Sequence, residues 1–259
     1  MTTRSFPYKR IKSVILTIWL CFVGMILFFP VVVSVFDGVL SHGMSGFADF
    51  LLWEPEWLRA FWTSMFLAAG TAIGSVIIAV PAAYVFAKFR FRGRDILFFL
   101  YVMVMLMPFQ VTMLPQYMTA KTIGTYDTIG AVLLPGIFAP LAVFLLTQLA
   151  RGIPDAVLEA ARLETGNELT ILRYIVLPQM KSGVVCVMVL QFTEYWSMVT
   201  EPLVLMETAE KFPLALLIAQ SVETIPAVAA ATVIILIPTW LLYGVFQEEI
   251  RQGLKDYHI

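Results

Sequence analysis

Six long apolar runs, at residues 13–36, 61–87, 96–114, 129–148, 183–200 and 225–246, dominate the chain, each separated from the next by charged residues or by proline and glycine. About 20 apolar residues in helical form cross a hydrocarbon layer of about 30 Å. Inside such a layer only a helix satisfies its own backbone N–H and C=O groups over an uninterrupted segment. The pattern predicts an all-α, polytopic membrane protein with about six transmembrane helices. Arg4, Lys9, Arg10 and Lys12 precede the first run as they would a secretory leader. That run is nevertheless too long for a leader and continues past Pro30 without a small-residue cleavage pattern, so a retained span is expected.

Composition narrows the class further. Of 259 residues, 60% are hydrophobic and 14% charged, with a mean hydropathy of +0.86, which excludes an ordinary soluble globule. The net charge of −1 offers no basic surplus for nucleic acid. Position matters more than the total. If the N-terminus is cytoplasmic, 14 of the 17 Lys and Arg residues fall on the cytoplasmic side, leaving Arg59, Lys121 and Lys211 outside. The positive-inside rule then puts both termini in the cytoplasm. Cys21 and Cys186 sit far apart in apolar sequence and read as small core residues. His42 and His258 lie near no cysteine, so no metal site is expected, and no glycine-rich phosphate loop ending in Lys-Ser or Lys-Thr occurs. The chain is therefore expected to bind no cofactor and to catalyse nothing itself.

The longest inside connection, about residues 149–182, holds the only sustained amphipathic stretch that does not span. Pro154 and Asp155 suit a first helical turn, and Gly166-Asn167 suits a left-handed stop, giving a short helix over 155–164. Ala156, Ala160 and Ala161 are small, Val157, Leu158 and Leu163 are apolar, and Glu159, Arg162 and Glu164 are available for ion pairs. From pattern alone this could equally be a helix resting at the lipid interface.

Glu159-Ala160-Ala161, the turn at Thr165-Gly166 and the closing Ile175-x-Leu177-Pro178 resemble the cytoplasmic "EAA" loop of permease subunits of binding-protein-dependent ABC importers. Met107-Pro-Phe-Gln-Val-Thr-Met-Leu-Pro115, Leu134-Pro135, Phe144-Leu-Leu and Trp196 with Pro202-Leu203 extend the likeness to the MalG-like permeases of carbohydrate importers. The resemblance covers nearly the whole chain and implies one permease domain, residues 1–259, in the inner (plasma) membrane of a prokaryote. It implies a second related permease, two ATPase subunits that hold ATP and Mg, and an extracytoplasmic solute-binding protein. Glu159, Ala160, Ala161, Leu163, Thr165 and Gly166 would couple to the ATPase. Thr165 stands where the family's loop has glycine, and the C-terminal tail, Gln252 to Ile259, lacks the family's small-residue, glycine-rich character.

Glu194 is the one acidic residue inside a predicted span, and a carboxylate there costs a few kcal/mol unless it meets a wet cavity or a partner. With Tyr195, Trp196 and Ser197 it is a candidate for a carbohydrate path; pairing with a neighbouring helix, or an aromatic belt, is the alternative. Gln110 is a second path candidate, set against simple interhelical hydrogen bonding. The outside segment 201–224 carries Glu207, Glu210, Lys211 and Phe212, a mixture suited to contact with the binding protein or to sealing the end of the bundle. Other polar solutes (polyamine, amino acid, phosphate ester) are the rival cargo, though no basic residue inside the spans favours an anion, and a non-transporting scaffold is the rival class.

Overall fold

The structure is a computed structural model that describes residues 6–42, 55–221 and 225–256. Residues 43–54 of the first predicted outside segment, 222–224 of the second, and the C-terminal 257–259 with His258 lie outside the described residues. Among the described residues every regular element is helical. Helix α1 spans Phe6–His42 and α2 Pro55–Lys88; α3 (Arg94–Met105) and α4 (Phe109–Ile123) follow, then α5 (Ile129–Ile137) and α6 (Pro140–Gly152). After α7 (Asp155–Glu164) come α8 (Glu168–Gln179), α9 (Lys181–Trp196), α10 (Thr200–Leu205), α11 (Leu214–Gln220) and α12 (Ile225–Asp256).

Three stretches are long and apolar enough to cross a membrane: α2, the α5–α6 pair over Ile129–Gly152, and Ala230–Glu249 of α12. The pairs α3–α4 and α8–α9 each qualify as a broken span, and α1 contributes the apolar segment Val14–Phe29. The third predicted run is thus not one straight helix: α3 and α4 meet at 101°. Pro108, in extended backbone at φ −65° and ψ 145°, caps α4 and biases Met107 away from helical geometry, which ends α3. Similarly, α8 meets α9 at 79°, after a π turn at Leu172–Val176 just ahead of Pro178.

At the centre lies α2, packed against α9, α6, α5 and α11. Ala60, Ser64, Ala68 and Ala72 recur every fourth residue, and so do Thr71, Ser75, Ala79 and Ala83; all eight are buried. Small residues at that spacing let neighbouring backbones approach closely, which replaces the hydrophobic effect as the source of helix association in lipid. The buried hydroxyls of Thr71 and Thr147 donate to carbonyls four residues back, Leu67 O at 2.7 Å and Val143 O at 2.6 Å, so they bring no unpaired polarity into the core. By contrast, α1 packs chiefly on α12, and the described side chains from Val14 to Phe29 are largely exposed, a face that only lipid or another membrane subunit covers at low cost.

Candidate functional site

At one end of the bundle α7 is held as a platform. Leu158 and Ala161 turn inward and are buried against Ala83, Tyr84, Ala150 and Ile171. Lys88, the last residue of α2, reaches under the start of the helix: its ammonium donates to Asp155 Oδ1 at 2.7 Å and to the carbonyls of Ile153 at 2.5 Å and Arg151 at 3.3 Å. A cation at the C-terminal end of α6 and an anion at the N-terminal end of α7 each complement the local helix dipole. That hydrogen bond and charge hold the Asp155 carboxyl below the ordinary carboxylate range. At the other end of α7, Arg162 Nε donates to Glu168 Oε1 at 2.8 Å, and Tyr84 O–H donates to Glu168 Oε2 at 2.7 Å. Two residues one turn apart on α2, Tyr84 and Lys88, therefore reach both ends of α7, one through Glu168 and the other directly.

The predicted coupling residues divide by side of this helix. Ala161 faces the core and Thr165 is half-buried, whereas Glu159, Ala160 and Gly166 are exposed and Leu163 is 91% exposed. The expected left-handed stop at Gly166 is not formed, since among the described glycines only Gly93 and Gly124 have positive φ. The helix ends instead through Thr165 in extended backbone, φ −139° and ψ 128°, and Asn167 caps α8 by accepting from Leu169 N–H at 3.0 Å. Threonine favours extended backbone, which suits the exit of the chain from α7 at Thr165.

A cavity of about 610 Å³ opens between α4, α5, α9 and α10. Thr112 and Gln116 of α4, Gln191, Glu194 and Tyr195 of α9, and Glu201 of α10 supply its polar wall. A more apolar cavity of about 640 Å³ adjoins it across Thr112, Gln116 and Pro135. Gln191 is only 4% exposed, and its Oε1 accepts no hydrogen bond from the described residues. Tyr195 reaches the cavity past Gly136, where an added Cβ would sit 2.6 Å from Tyr195 Cζ and from Thr71 Cγ2, so this crossing of α5 over α2 and α9 requires glycine.

Of the five predicted path residues, Glu194 and Tyr195 line the cavity and three do not. Trp196 is 1% exposed and points into the core, its indole N–H donating to Ile235 O at 2.6 Å and its ring packed on Phe61 and Phe192. Ser197 is exposed and donates to its own helix at Thr193 O. Gln110 is exposed on α4 but lies off the cavity wall; Thr112 and Gln116, four residues apart and so on one helical face, take that place. The signal for Glu201, an acid at the close of the fifth run, was present but fell beyond the expected span end.

At the end of the bundle away from α7, Asp127 organises the segment after α10. It has the left-handed φ of 56°, which costs a non-glycine residue about 1–2 kcal/mol. Its carboxylate accepts from Glu207 N–H (2.8 Å), Thr208 N–H (2.9 Å), the Thr208 hydroxyl (2.6 Å) and Lys211 Nζ (2.7 Å), and several charge-assisted bonds at about 1.5 kcal/mol or more each outweigh that strain. Lys211, and then the Thr208 and Glu207 donors, hold the Asp127 carboxyl well below the usual carboxylate range. Lys211 is thus engaged internally, Phe212 is buried, and Leu214 N–H donates to the buried Ser64 hydroxyl at 2.8 Å. Glu207 and Glu210 remain exposed.

Residues 75–255 match the family described as binding-protein-dependent transport system inner membrane component, and the chain belongs to that family. It is a membrane-spanning permease component of an ABC importer. It is 27% identical to the arabinooligosaccharides transport system permease protein AraQ of Halalkalibacterium halodurans, over 94% of this chain and 95% of that one. The sn-glycerol-3-phosphate transport system permease protein UgpE of Brucella abortus is 27% identical over 76% of this chain and 72% of its own length. The lactose transport system permease protein LacG of Rhizobium radiobacter is 25% identical over 75% and 72%. In fold the chain matches a subunit of a bacterial ABC transporter involved in the import of the acidic polysaccharide alginate, with a TM-score of 0.81 and 21% identity over 95% of this chain and 99% of that one.

Proposed function

We propose that this permease imports a sugar or oligosaccharide, pairing with a second related permease to form half of an alternating-access pathway. Both termini and α7 face the cytoplasm of a prokaryotic inner membrane, where two ATPase subunits holding ATP and Mg supply the energy. An extracytoplasmic binding protein delivers the solute at the opposite end, against the exposed Glu207 and Glu210. The positions of 14 of the 17 basic residues support this orientation. Likeness along almost the full length to a permease named for arabinooligosaccharides supports the cargo.

The observation that carries the reading is the division of α7. Its inner face is fixed by Leu158 and Ala161 and by the two polar tethers, while Glu159, Ala160 and Leu163 are presented outward. An apolar side chain 91% exposed beside a carboxylate suits insertion into a groove on a partner. Movement of the ATPase would then pass through α7 to Tyr84 and Lys88 and along α2, the helix at the centre of the bundle. The test is ATP-dependent uptake by the importer assembled in vesicles with its binding protein. Glu159→Lys abolishes uptake and ATPase association while the permease still inserts; normal transport in that variant overturns the assignment.

A further inference from the structure

The cavity between α4, α5, α9 and α10 has a chemistry narrower than "polar". Its ionisable wall residues are the acids Glu194 and Glu201 and the phenol Tyr195, and among the described residues no Lys, Arg or His lines it. Gln191 of α9 and Gln116 and Thr112 of α4 complete its polar wall. A carboxylate only accepts hydrogen bonds when ionised. Such a wall is matched by a solute rich in donors, hydroxyl or ammonium, and mismatched by one that brings carboxylate or phosphate oxygens.

We infer that this cavity is a charge filter, in which Glu194 and Glu201 repel anionic solutes and accept hydrogen bonds from the hydroxyls of neutral ones. The inference rests on the cavity being the solute path and adds to it the class of solute: a polyol or sugar without phosphate or uronate groups. Like charges confined at close range in a partly dehydrated cleft disfavour a further anion far more than they do in bulk water.

The experiment reads the sign of the field in the cavity without needing the natural solute. In the importer assembled in vesicles, with Cys21 and Cys186 replaced, a single cysteine is placed by Thr112→Cys or, as an independent reporter, by Gln116→Cys. Its reaction rate is measured at low ionic strength with the anionic sulfonatoethyl and the cationic trimethylammonioethyl methanethiosulfonates, each normalised to a small free thiol. The cation is expected to react about tenfold faster than the anion or more. Introducing Glu194→Gln together with Glu201→Gln brings the two rates within about twofold, as removal of the local charge requires. Equal rates in the parent, or a preference that survives loss of both acids, overturns the filter while leaving the path intact. Failure of both reagents at both positions, in a complex that still assembles, removes the path reading and the filter with it.

Discussion

Around α7, Lys88, Asp155, Tyr84, Glu168 and Arg162 each meet a complementary group within 2.8 Å, whereas in the cavity Gln191 is buried with its carbonyl oxygen unanswered beside two carboxylates. A buried polar group left unpaired costs about 1–3 kcal/mol, and a paired one contributes about 1. The first region is thus satisfied by its own groups. The second retains an unfavourable feature, a buried acceptor without a donor. Under the proposed function the difference separates a part that transmits force from a part that receives solute.

Breaking the paired region has the largest expected effect. Lys88→Met removes the donor to Asp155 and to two carbonyls at once, so the start of α7 is no longer tied to α2. Uptake is expected to fall by tenfold or more while the ATPase remains bound through the outer face of α7, with thermal stability lowered by about 1–2 kcal/mol because the exposed Asp155 is rehydrated. Solute transported per ATP hydrolysed, measured in vesicles beside a thermal melt, checks both parts.

The unpaired region is expected to respond with the opposite sign in stability. Gln191→Leu removes an orphaned acceptor and fills the same volume, so stability stays level or rises, by up to about 1 kcal/mol, while uptake falls. A variant that melts earlier than the parent would show that Gln191 is structural and would erase the contrast.

Legibility in the sequence followed the same division. The apolar runs and the extent of α7 could be read directly, because span length and amphipathic pattern are local properties, although the expected stop at Gly166 is replaced by extended backbone at Thr165. Glu194 stood out because it is charged within an apolar run. The tether from Lys88 to Asp155 joins residues 67 positions apart and had no local sign, so Lys88 counted only as a topology charge. Gln116 carries no sequence sign of its place on the cavity wall, because composition does not report which face of a helix bent by 101° meets the cavity. Trp196, adjacent to two cavity residues, points away because consecutive helical positions are about 100° apart.

A smaller effect, confined to the end away from α7, sharpens the comparison by pH. The Asp127 carboxyl titrates lower in the folded protein than in the unfolded chain, so its stabilising contribution is complete above about pH 4 and declines as pH falls toward the depressed value. Protection of Glu207 and Thr208 N–H from hydrogen exchange, referred to the intrinsic rate at each pH, is expected to fall in acid, and Asp127→Asn lowers it already at neutral pH. The smallest structural change is expected from Glu207→Ala with Glu210→Ala. Both side chains are exposed, so assembly is preserved while stimulation of ATP hydrolysis by loaded binding protein is lost.

The most direct test of the central claim, that α7 is clamped on its inner face and docks an ATPase by its outer one, is cross-linking at two positions of that helix. With Cys21 and Cys186 replaced, Leu163→Cys, at a site 91% exposed, is expected to cross-link to the ATPase in the assembled importer, and Leu158→Cys, at a site 1% exposed, is not. Cross-linking from Leu158→Cys, or none from Leu163→Cys in a complex that transports, would contradict the account.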